Sequence, residues 1–109
     1  MAKNYLKVDQ NRFDLPKFID RIKNLSLIDM VNTCEKEYSW AESILPKVSR
    51  DDEYTIRQYY RPIRDFVYFL NIGGVGSTTG KEGLRKFEPS IKNLVEKNQL
   101  SKDALKSLE

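Results

Sequence analysis

R-P-I-R-D-F-V-Y-F-L-N-I, residues Arg61 to Ile72, fits two different backbones. Taken with the residues before it, Ile56, Tyr59/Tyr60, Ile63, Phe66/Val67 and Leu70 share one helical face. Taken alone, the unbroken run F-V-Y-F-L suits a buried strand, and Pro62 disfavours helix at Arg61. The choice decides the fold class. A strand needs partners, and elsewhere only Tyr5 to Val8 looks extended. Two strands alone make a marginal sheet, so a helix kinked at Pro62 is the expectation, with residues 63–72 open to the strand alternative.

Upstream, Ser49-Arg50-Asp51-Asp52-Glu53 marks the start of that helix: a serine cap, then three acids where the helix dipole favours negative charge. Consecutive residues on a helix point in different directions, so these acids read as dipole partners and no metal site is expected. Before them, Leu27, Val31, Cys34, Tyr38, Ala41 and Leu45 recur at spacings of 4, 3, 4, 3 and 4, from a Ser26 cap to Pro46. Earlier still, Asp14 precedes Leu15-Pro16, and Phe13 and Phe18 have the spacing of a hydrophobic staple, which predicts a first helix over about 14–25.

Downstream, Leu84, Phe87, Ile91, Leu94 and Val95 give another helical face, interrupted by Pro89. Asn98 is placed to close it and Ser101 to open a short last helix through Leu105 and Leu108. The expected fold is all-α: a single-domain antiparallel bundle of about four helices, two with proline kinks, plus a short C-terminal helix. Residues 1–12 are expected to be extended or loosely ordered, and 71–81 form a glycine-rich interhelical loop. Leu108-Glu109 matches the dipeptide often left between an insert and a vector tag.

Composition narrows the chemistry. The 109 residues suffice for one core, with 39% apolar and 32% charged residues, as in folded soluble proteins. No window nears the ~18 apolar residues of a membrane span. The N-terminus lacks the apolar stretch of a secretory signal, so a cytoplasmic setting is expected. There is no histidine, hence no Ser-His or Cys-His nucleophile pair and no histidine-ligated zinc or haem. The one cysteine, Cys34, lies within an apolar stripe and reads as a small buried hydrophobe. No catalytic residue and no cofactor are expected.

The loop N-I-G-G-V-G-S-T-T-G-K-E-G, Asn71 to Gly83, resembles a phosphate cradle only at first sight. Counting back from Gly80-Lys81 puts Val75 at the first glycine of a Walker A loop, and Glu82 follows the lysine in place of Ser or Thr. The dinucleotide fingerprint fails too, since its third glycine is Thr79. A helix stop at Gly74 with Val75 against Leu70, then a Thr79/Glu82 capping box, accounts for most of these residues. What remains is weak anion binding by Lys81 at the helix start.

The stronger candidate is a basic-aromatic stripe. Tyr54, Arg57, Arg61, Arg64 and Tyr68 follow at spacings of 3, 4, 3 and 4, on one flank of the third helix. Arginine and tyrosine so interleaved offer phosphate contacts and stacking to nucleic acid, or anchors to a protein. The bland reading is a solvated face with Glu53–Arg57 and Arg61–Asp65 pairs. The aromatics Tyr54, Tyr59, Tyr60, Phe66, Tyr68 and Phe69 exceed what one inward face can bury, which leaves Tyr68 or Phe69 for another helix, subunit or ligand. Trp40 falls off its helix's stripe and is expected to cover the rim of the core.

In size, charge and helix number the chain is similar to small helical immunity or regulatory proteins of bacteria, a likeness of fold that assigns no residue. The sequence thus predicts a non-enzymatic module acting through protein–protein contact, with a homodimer expected. The alternative is binding of nucleic acid or another polyanion through the basic-aromatic flank.

Overall fold

The computed structural model describes residues 4–72 and 80–108. They form six helices and no strand: α1 (Leu15–Ile22), α2 (Leu27–Ser43), α3 (Arg50–Ile72), α4 (Lys81–Arg85), α5 (Glu88–Glu96) and α6 (Asp103–Lys106). The centre is an antiparallel hairpin of α2 and α3, joined through a 3-10 turn at Leu45–Lys47. The expected all-α fold is observed. No helix among the described residues is long and apolar enough to cross a membrane.

Residues 63–72 are helix. Ile63, Phe66, Val67, Phe69 and Leu70 are all buried, so the last turns of α3 are enclosed on most of their circumference. That enclosure is why the segment reads as a continuous apolar run. Pro62 lies inside α3 without ending it. Pro89 behaves differently. It occupies the first turn of α5, and α4 stops at Arg85, four residues before it, whose carbonyl the proline ring would strike. The single bent helix expected over 84–95 is therefore two short ones.

Cap residues set the starts of α1, α2 and α3. Asp14 accepts a hydrogen bond from Lys17 N at 3.1 Å, Ser26 Oγ from Asp29 N at 3.3 Å, and Ser49 Oγ from Asp52 N at 3.3 Å. Asn98 takes the left-handed conformation, φ 60°, just past α5, where the chain turns back. The cap of α4 differs from the Thr79 capping box. Gly80 is its N-cap, with no side-chain bond, and the Gly80 N–H bonds the Asp65 carboxylate of α3. The expected Gly74–Val75–Leu70 stop and the rest of 73–79 lie outside the described residues.

The buried line of α2 is rotated from the expected stripe. It runs Met30, Cys34, Glu37, Ala41, while Leu27, Val31 and Tyr38 flank it, partly buried. A glutamate thus occupies a core position. α1 ends at Ile22, short of residue 25. Its C-terminal carbonyls are met from α5: Asn93 donates to Lys23 O at 2.9 Å and Lys97 to Asn24 O at 3.0 Å. Gln99 Oε1 accepts from Leu27 N at 2.5 Å, so three polar contacts bind one end of the hairpin. Residues 4–9 have no regular structure, and Leu6 N bonds Lys47 O at 2.7 Å. Leu108 is buried, and its carbonyl accepts from Arg85 at 3.4 Å.

Candidate functional site

The unbroken α3 carries Tyr54, Arg57, Arg61, Arg64 and Tyr68 on its outer flank. Tyr54 and Tyr68 are 68% and 49% exposed, whereas Phe69, the other candidate for an outside contact, is fully buried against Phe66 and the core. The arginines between the tyrosines diverge. Arg57 bonds Glu53 at 2.8 Å, as the i,i+4 spacing predicts, and that bond raises its pKa. Arg61 does not pair with Asp65. That carboxylate has turned to the Gly80 N–H and to Arg64, 3.8 Å away. Burial pushes the Asp65 carboxyl up, against the opposing pull of Arg64, the Gly80 amide and Arg61.

Arg64 leans back over Tyr60, 5.9 Å from the ring centroid. Arg57 and Arg61 face instead a groove between α3 and α4 of about 310 Å³, shared with Asp65, Glu82 and Lys86. Its charge is mixed. The flank is therefore two exposed tyrosines bracketing Arg57, bonded to Glu53, Arg64, 3.8 Å from Asp65, and Arg61, which makes no ion pair among the described residues. Lys81 is exposed at the first position of α4, a five-residue helix whose cap amide already bonds Asp65.

A second cluster joins residues far apart in the chain. Glu37 receives both guanidinium ends of Arg12, at 2.6 and 2.9 Å, and the Tyr59 hydroxyl donates to Glu37 Oε2. Burial raises the Glu37 carboxyl, but the bonds from Arg12 and Tyr59 outweigh it and hold it below the ordinary range. Burial and the neighbouring glutamate push the Tyr59 phenol up. The Arg12 guanidinium also lies 4.5 Å from the Trp40 ring centroid, and Trp40 stacks on Phe13 at 5.5 Å and 8°. Phe13 and Phe18, the staple pair, both meet Tyr59 edge-on, at 5.5 and 6.1 Å. Trp40 is thus the lid over the core rim.

The one available signal was Glu37 itself, a charge in line with Met30, Cys34 and Ala41. Cys34 is buried beside it. Desolvation and the Glu37 charge push its thiol up to about 12, which favours the protonated form. Among the described residues no group of three or more His, Cys, Asp or Glu is placed to hold a metal ion. Set against protein-family models, curated proteins and solved structures, the chain matches none, and its surfaces are read from their own residues.

Proposed function

We propose that this chain is a non-enzymatic helical module that acts by protein–protein contact through the outer flank of α3. The observation that carries the reading is the pair of exposed tyrosines, Tyr54 and Tyr68, bracketing Arg57, Arg61 and Arg64 on one uninterrupted helix. Tyrosine and arginine are the residue types that dominate binding energy at protein interfaces. The Arg57–Glu53 bond and the Asp65 carboxylate 3.8 Å from Arg64 place acids among these arginines, which favours a protein over a nucleic acid. Affinity for a polyanion grows with the number of uncompensated cations, and acids also occupy the first turn of the same helix.

The partner this flank fits presents carboxylates between two apolar hollows. Photo-crosslinkers placed at Tyr54 and at Tyr68 should capture the same protein, while one at exposed Glu35 on α2 should not. Capture of unrelated proteins from the two flank positions would sink the reading. Single-stranded oligonucleotide should bind weakly, and unchanged in Arg57→Glu/Arg61→Glu/Arg64→Glu. A steep salt dependence lost in that variant would instead establish the polyanion alternative.

Self-association is a second reading, carried by Tyr68 and Ile72. They lie one turn apart at the end of α3, and Ile72 is 62% exposed. A two-fold contact centred on Arg61 would set arginines against arginines, so a homodimer would use this apolar end. Light scattering then shows a dimer at micromolar concentrations that Tyr68→Ala dissolves. A strict monomer would exclude it.

A further inference from the structure

The cleft between the Gln10–Arg12 turn, α1 and α3 belongs to neither reading above. It measures about 280 Å³ and is lined by Asn11, Arg12, Lys17 and Arg21 over a floor of Phe18 and Tyr59, with Asp14 at its rim. Three cations therefore converge on one small concavity. Arg12 is fixed there by Glu37 and Tyr59 below and by Trp40 beside it, so its position is set before any ligand arrives. With two N–H groups on Glu37, the guanidinium keeps further donors, in a side chain that remains 44% exposed.

Lys17 and Arg21 are a different case. Among the described residues neither has a carboxylate within ion-pair distance, and Arg21 rests over the Phe18 ring at 5.4 Å. They stand four residues apart on α1, the spacing at which like charges repel along a helix. Two carboxylates lie nearby: Glu37 holds Arg12 and Tyr59 and also attracts Arg21, and Asp14 accepts from the Lys17 amide while keeping its charge. Two cations without ion pairs beside a fixed guanidinium suit one phosphate oxyanion, and the aromatic floor suits a small organic body attached to it.

We propose that this cleft binds a small dianionic phosphate monoester, with Lys17 and Arg21 meeting the charge, Arg12 orienting an oxygen and Phe18 and Tyr59 carrying the organic part. The site is independent of the α3 flank. The test is amide NMR of the intact chain at low salt, titrated with phenyl phosphate and, separately, with inorganic phosphate. Saturable shifts are expected at Asn11, Arg12, Lys17 and Arg21, with phenyl phosphate the tighter ligand. Lys17→Ala/Arg21→Ala removes only exposed side chains and leaves the melting temperature in place. It should weaken binding at least about tenfold, as the loss of a charge-assisted hydrogen bond predicts. Binding should also fall as pH drops below about 6, where the phosphate loses its second charge. Shifts spread evenly over all basic residues, or affinity unchanged in the double variant, would overturn the proposal.

Discussion

Arg12 and Arg57 make the same bond to the same kind of acid in two different settings. Arg12 meets Glu37 at 2.6 Å and Arg57 meets Glu53 at 2.8 Å, but the Glu37 side chain is 11% exposed and the Glu53 side chain 36%. Glu37 lies in the middle of the buried line of α2, and its partner comes from 25 residues away. Glu53 and Arg57 are one turn apart on a wet helix face, where water competes for both charges. The first pair closes a tertiary structure, tying the N-terminal segment to α2 and α3. The second decorates a helix that other contacts already hold.

The largest expected effect follows from removing Glu37. Glu37→Ala leaves the Tyr59 hydroxyl buried without its acceptor and Arg12 without its anchor, at a cost of about 2–4 kcal/mol by urea unfolding. Glu53→Ala should cost less than about 0.5 kcal/mol. Equal losses would erase the distinction. Tyr59→Phe is next, at about 1 kcal/mol, because it removes one of the bonds that hold Glu37 charged.

The buried cluster also responds to pH. The folded-state carboxyl of Glu37 lies below its unfolded value of 4.5, so the unfolded chain binds more protons in acid. Stability from this group is present above that value and is lost as pH falls through the lowered one. Glu37→Gln should flatten the acid limb of an unfolding profile. At the other end, the Tyr59 phenol is raised above 10.0, so its contribution is intact below that pH and fades as pH rises beyond it. Tyr59→Phe should remove the alkaline loss. The smallest effect on stability belongs to Arg57→Glu/Arg61→Glu/Arg64→Glu, within about 1 kcal/mol, since all three side chains reach water. A large loss would move the flank from surface to scaffold.

How far the sequence carried depended on whether local chemistry was enough. The caps at Asp14, Ser26 and Ser49 and the turn at Asn98 were legible, because each is made within four residues. The α3 flank was legible as a spacing, since exposed positions follow helix geometry alone. The Arg12–Glu37–Tyr59 cluster was not, because nothing local to Glu37 shows that a guanidinium arrives from the N-terminal segment. The rotation of α2 followed from the same blindness: a charged residue was set outside the core that its partners allow it to enter. The i,i+4 rule pairs Asp65 with Arg61, but the carboxylate meets instead an amide 15 residues on.

The polar contacts from Asn93, Lys97 and Gln99 to Lys23, Asn24 and Leu27 span 70, 73 and 72 residues of chain. Their consequence is one of timing. The α2–α3 hairpin is closed by a turn of a few residues and can form early, whereas α5 docks only after most of the chain has been drawn together. Folding should therefore pass through a state in which the hairpin is built and its open end is unlatched. Asn93→Ala should leave the folding rate unchanged and speed unfolding, while Ile56→Val in the hairpin should slow folding.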